Sequence, residues 1–171
     1  NNGGVGYVSA AAFEPPPVQT TVVQLTPSNA VDGWTTSVYP NGSRTGAPAG
    51  QDNEELRVGG WGDTYISLIY FPTAPASASR VWLELYNAAD DGSLTDMRVQ
   101  AVAAPWSRRS DGFLYWSALP VLSGEFATRA AVTDRATWVR IDITEINRAW
   151  ATGRLVNRGL ALVPESNDNR F

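Results

Sequence analysis

Seven tryptophans and six tyrosines are spread through 171 residues. An aromatic ring held clear of a core offers a flat apolar face on which a sugar ring can stack, while polar neighbours bond its hydroxyls. Two tryptophans have the setting for this. Trp34 follows Asp32-Gly33, and Trp61 stands between Gly60 and Gly62, so both are expected in loops, where a large ring gains little from local packing. Tyr39 and Tyr65 lie near them in the chain and would extend the platform; the plain alternative is that all four rings seal one end of a core. Arg108 and Arg109 stand side by side in a polar turn after Trp106. Adjacent guanidinium groups bind carboxylates in bidentate fashion, which suits uronic-acid sugars, and a solvated loop is the competing account.

The remaining tryptophans divide by position. Trp150 falls on the apolar side of a short helical pattern, Trp116 precedes Leu119-Pro120, and Trp106 is similar; for these, core packing is the better reading. Trp82 and Trp138 lie opposite the apolar faces of their strands, so they either pack beneath a loop or helix or line an outer groove.

The missing residue types narrow the chemistry further. The chain has no His and no Cys, and all 13 of its basic residues are Arg. A Ser-His-Asp triad, a Cys nucleophile and the usual zinc ligand sets are thereby excluded, as are the phosphate-loop lysine and the Schiff base. Carboxylates remain. A glycosidase needs two of them about 5 to 10 Å apart across a cleft, and 17 acidic residues make such a pair easy to find by chance. Nothing in the pattern sets two acids at strand ends beside a deep pocket, so no catalysis is expected. Oxygen-rich stretches that could hold a cation occur at Gln51-Asp52-Asn53-Glu54-Glu55, at Asp32 and at Asp90-Asp91-Gly92-Ser93, none with EF-hand spacing.

The net charge is −4, the wrong sign for the basic footprint that a phosphate backbone demands, so no nucleic-acid partner is expected. No stretch reaches the roughly 18 consecutive apolar residues of a membrane helix, so no membrane insertion is expected either. Asn41-Gly42-Ser43 is a glycosylation triplet of low specificity. The sequence opens on Asn1, which would fit a removed leader or a piece of a longer chain.

The elements that must position these groups are short and two-periodic. Residues 1–17, with Asn1-Asn2-Gly3-Gly4 at one end and Pro15-Pro16-Pro17 at the other, read as a flexible Gly/Pro-rich arm or linker. Residues 18–171 read as one β-sandwich domain. Strands are expected at Thr21–Leu25, Thr35–Tyr39, Leu56–Val58, Tyr65–Phe71, Arg80–Tyr86, Met97–Ala103, Thr137–Ile143 and Leu160–Val163. Asp-Gly, Asn-Gly, Gly-Gly and Ser-Gly pairs between them, Ser123-Gly124 among them, carry turn chemistry. In two strands the alternation is clean. Val81, Leu83 and Leu85 oppose Trp82, Glu84 and Tyr86, and Val139, Ile141 and Ile143 oppose Trp138, Arg140 and Asp142. One short helix follows, with Thr144 as its expected N-cap, Ile146, Ala149 and Trp150 on one face and Gly153 past its end.

The order of these pieces resembles the DNRLRE domain, a secreted bacterial and archaeal module grouped with carbohydrate-binding modules. The residues concerned are Leu56-Arg57-Val58-Gly59, Ser67 to Phe71, Leu83-Glu84-Leu85-Tyr86, Trp106, Tyr115-Trp116 with Leu119-Pro120, Ile141-Asp142-Ile143-Thr144, Ala149-Trp150 with Gly153, and Asn157-Arg158-Gly159-Leu160. The resemblance implies a secreted, extracellular jelly-roll-like antiparallel β-sandwich with one short helix. Its partner would be a polysaccharide, often acidic, and it would sit beside a catalytic domain or neighbouring subunits. It also implies a structural Ca2+, for which Asp32 and Asp142 with backbone carbonyls are the ligands to expect. Two features depart from the family: Arg108-Arg109 stand where an acid is expected, and the chain stops at Phe171, before the family's final strand. Three functions are therefore carried forward: a non-catalytic carbohydrate-binding module, a structural subunit of a surface filament, capsid or S-layer joined through its arm and open edge, and a carboxylate-based polysaccharide hydrolase or lyase.

Overall fold

In Tyr65-Ile66-Ser67-Leu68-Ile69-Tyr70 and Leu160-Ala161-Leu162-Val163-Pro164 apolar residues run almost without interruption, the pattern of strands covered on both faces. The computed structural model describes residues 19–26, 28–38, 56–60, 62–88, 95–107 and 114–166. It places the two segments as β2 (Tyr65–Tyr70) and β7 (Leu160–Pro164), paired with each other inside a five-stranded antiparallel sheet. With β1 (Val31–Thr36), β4 (Met97–Val102) and β5 (Leu122–Ala130) the order is β1-β2-β7-β4-β5. A second, two-stranded sheet pairs β3 (Trp82–Asn87) with β6 (Thr137–Asp142). The molecule is an antiparallel all-β sandwich with one short α-helix, α1 (Thr144–Ala151), among the described residues.

The core follows the pleat, since successive side chains point to opposite faces. Ile69, Val99, Ala101, Leu160 and Leu162 of the large sheet meet Leu83, Val139 and Ile141 of the small one, joined by Ile143, Ile146 and Trp150. The alternate residues Ile66, Leu68, Val102, Ala161 and Val163 form a second cluster with Leu114, roofed by Trp106, Trp116 and Leu119. Trp106 is fixed there by its indole N–H, which donates to the Arg158 carbonyl at 2.7 Å. The central strands β2 and β7 are thus covered on both faces, and at about 1.5 to 3 kcal/mol per fully buried aliphatic side chain these clusters hold the fold.

Five expected strands appear within two residues of their expected limits, and three do not. Residues 21–25 pair with no strand among the described residues. At Leu56–Val58 the Ser67 hydroxyl takes over the ladder's role, accepting from the Arg57 N–H at 2.9 Å and donating to the Arg57 carbonyl at 2.7 Å, and Gly59 then bridges to Tyr65 of β2. The expected Thr35–Tyr39 strand instead starts earlier, as β1, so Asp32 and Gly33 lie within a strand. One strand was not expected at all. Ser123-Gly124 reads as a turn, yet it lies within β5, where the register on β4 shifts between Gln100 and Val102. The Ser123 hydroxyl accepts from the Phe126 N–H, and the Ser123 carbonyl from the Gln100 amide, so the local turn chemistry serves a bulge.

Helix α1 buries Ile146, Ala149 and Trp150 as its periodicity requires. Its start differs from expectation. Thr144 does not cap it: its hydroxyl accepts from the Val81 N–H at 2.9 Å, while the Asp142 carboxylate accepts from the Thr144 N–H at 2.9 Å. Buried Asn147 ties the helix to the β2–β3 connection by accepting from the Ala74 N–H and donating to the Ala74 carbonyl.

Candidate functional site

The outer face of the small sheet carries large side chains that the core does not use. Leu83, Val139 and Ile141 point inward, so the pleat sends Trp82, Glu84 and Tyr86 of β3 outward beside their register partners Asp142, Arg140 and Trp138 of β6. Trp82 is 40% exposed, Tyr86 51% and Trp138 65%. The result is a row with aromatic rings at its ends and an ion pair at its centre.

Each member is held in place by a neighbour. Arg140 Nε and Nη2 both lie 2.6 Å from Glu84 Oε1, and the same guanidinium stands 5.3 Å from the centre of the Trp82 ring. Arg80 stands 5.8 Å from that ring and 3.5 Å from Asp142. Tyr86 and Trp138 meet edge to face, with centroids 5.5 Å apart. Trp82 and Tyr86 are four residues apart on one strand, hence about 13 Å. The bonds from Thr144 and the nearby Arg80 hold the Asp142 carboxyl below the usual carboxylate range. Beside Asp142 an open groove of about 450 Å³ runs between α1 and β5, lined by Arg80, Thr128, Asp142, Glu145 and Arg148 among others. Chemically the face offers stacking surfaces, guanidinium donors and carboxylate acceptors on a two-stranded support.

The expected aromatic site has a different form. Trp34 is not in a loop: it lies in β1 opposite Ser67, because the edge pairing with β2 outweighs the Asp-Gly turn signal. Trp34 and Tyr65 do come together, with centroids 5.6 Å apart. Their rings are half-buried, and the Arg57 guanidinium lies 4.8 Å over Trp34, so part of that ring is packed against the protein. Trp34 Nε1 is buried with no hydrogen-bond partner among the described residues. Burial raises the Tyr65 hydroxyl above the usual phenol pKa, with the Asp63 carboxylate adding to the effect and Arg57 and Thr36 opposing it. Asp63 is itself fixed by the Thr36 hydroxyl at 2.7 Å. Trp61, Tyr39, Arg108 and Arg109 lie outside the described residues, as do the arm at residues 1–17, the acid-rich stretches at 51–55 and 90–93, the triplet at Asn41 and residues 167–171.

Asp32 and Asp142 are not brought together. Asp32 sits in β1 opposite Ile69 of the large sheet, and Asp142 ends β6 opposite Trp82 on the outer side of the small sheet. One Asp142 oxygen accepts from Thr144 and the other faces Arg80, so the two aspartates do not form one ion's ligand set. Among the described residues no three of His, Cys, Asp and Glu cluster as a metal site would require. No helix among them is long and apolar enough to cross a membrane.

The pleat of β3 and β6 was visible in the sequence, and Trp82 and Trp138 were seen to face away from the core. What sequence pattern left open was whether anything covers them. Compared with protein-family models, curated proteins and solved structures, the chain matches none.

Proposed function

We propose that this chain is a non-catalytic polysaccharide-binding module and that the outer face of β3 and β6 is its binding surface. The observation that carries the reading is the outward row of Trp82, Tyr86 and Trp138, exposed and interleaved with Arg140, Glu84 and Asp142. Rings spaced along a strand suit a ligand longer than one sugar, and the charged groups between them match hydroxyls as donors and acceptors. The resemblance of the ordered motifs to the DNRLRE domain points to the same reading and to a secreted, extracellular setting. Affinity electrophoresis through gels containing different polysaccharides tests the proposal. Retardation by at least one polymer, lost on Trp138→Ala, is expected; free migration in every gel would refute it.

A second reading, a subunit of an extracellular surface assembly, is favoured by one feature. Residues 19–25 are mostly exposed and join no strand among the described residues, with Val22 82% and Val23 64% exposed, which suits strand donation to a neighbour. Sedimentation decides this. Concentration-dependent oligomers that Val22→Asp disperses support it, and a monomer at high concentration removes it.

A further inference from the structure

The charges on the outer face come in opposite pairs. Arg140 faces Glu84 at 2.6 Å, and Arg80 faces Asp142 at 3.5 Å. Beyond the face, Asp134 and Arg135 precede β6, and Glu145 pairs with Arg148 in α1. Neighbouring strands are about 4.8 Å apart, so charge alternates over a distance shorter than the screening length of about 8 Å at physiological salt. Such a surface has little field to attract an ion. A ligand carboxylate approaching Arg140 would meet Glu84, which already takes two of its N–H bonds, and would meet Asp142 beside Arg80.

The same face is poorly suited to a protein partner. Protein interfaces concentrate apolar side chains at the centre and deplete charge there, whereas here the centre is the Glu84–Arg140 pair and the rings lie at the ends. We infer that the ligand is an uncharged polysaccharide, stacked on Trp82, Tyr86 and Trp138 with its hydroxyls bonded to Arg140, Glu84, Arg80 and Asp142; this rests on the polysaccharide-binding reading above.

The test titrates the full chain with neutral glucans and mannans and with two uronate polymers, polygalacturonate and alginate. Each titration is run at roughly 0.01 M and 1 M salt, a span over which the screening length falls from about 30 Å to about 3 Å. The expected result is binding to a neutral polymer that changes less than about threefold with salt and falls at least about tenfold, or about 1.4 kcal/mol, on Trp82→Ala or Trp138→Ala. Glu84→Gln, which leaves Arg140 without its carboxylate, is expected to add uronate binding that the wild type lacks. Salt-sensitive uronate binding by the wild type, lost with either tryptophan, would overturn the charge argument and leave the polysaccharide reading standing. Uronate or neutral binding that survives both exchanges would overturn the assignment of this face. If neither polymer class binds, the polysaccharide reading itself fails.

Discussion

Arg140 crosses from β6 to Glu84 on β3 and places two nitrogens 2.6 Å from a single carboxylate oxygen. Both side chains are substantially exposed, so water screens the pair and its share of stability is small, about 0.2 to 1 kcal/mol. Its effect is positional: that anchor sets the guanidinium 5.3 Å from the centre of the Trp82 ring. A double-mutant cycle on Glu84→Gln and Arg140→Gln, read by urea unfolding, should return a coupling below about 1 kcal/mol. A larger value would make the pair a structural support.

The tryptophans should separate sharply by role. Trp150 is 6% exposed and packs edge-on against Phe71, so Trp150→Ala should cost about 3 to 5 kcal/mol. Trp138→Ala, at an exposed position, should cost about 1 kcal/mol or less, mainly the lost edge contact with Tyr86. Denaturant midpoints at unchanged slope measure both.

Gly159 admits no side chain. Its φ is +89°, and a Cβ placed on it would stand 2.3 Å from the Ile69 carbonyl oxygen. The close approach lets the Gly159 carbonyl accept from the Val102 N–H, while Asn157 takes the Gly159 N–H and donates to the Phe71 carbonyl. Gly159→Ala should therefore cost about 3 kcal/mol or more, from backbone strain together with displacement of β2. Thermal unfolding tests it, and an unchanged midpoint would contradict the packing described.

Asp142 links stability to acid. Its carboxyl is held below the usual range by the bonds from Thr144 and then by Arg80, so its contribution is complete above the unfolded value of about 3.9 and is lost as pH falls through the lower folded value. Asp142→Asn keeps an oxygen acceptor for the Thr144 N–H but removes the charge. The stability gap between wild type and this variant should be present at neutral pH and close as the solution is acidified through that window. Asp142→Ala, which also removes the acceptor, should cost about 1 kcal/mol more.

Tyr65 acts at the other extreme. A folded phenol pKa above about 10 means that its contribution is whole below that value and fades as pH rises through the folded one. Tyr65→Phe should flatten the alkaline end of the stability profile, which ultraviolet-monitored titration alongside unfolding can follow.

Period-two alternation was enough to orient β3 and β6, because each strand buries one face and a one-residue slip would exchange core for surface. It also marked out Tyr65–Phe71 and Leu160–Val163, which appear as β2 and β7. It failed where a local signal was reused. Asp32-Gly33 and Ser123-Gly124 carry turn chemistry but lie in strands, the first paired along β2 and the second in a bulge on β4. Long-range pairing outweighed local preference there, and a short window of sequence contains no trace of the partner strand. Trp34 was displaced from the expected loop by the same effect. Arg57, which covers Trp34, was not foreseen, because its place depends on the Ser67 hydroxyl ten residues away.

Whether the outer face of β3 and β6 binds a glycan through its rings can be decided in one experiment. The most direct measurement is the affinity of the wild type and of the double variant Trp82→Ala/Trp138→Ala for a polysaccharide array, with melting temperature followed on the same samples. A bound polymer is expected for the wild type, with loss of that signal in the double variant and little change in melting temperature. Equal binding by the two proteins, or a wild type that binds no polymer, would contradict it.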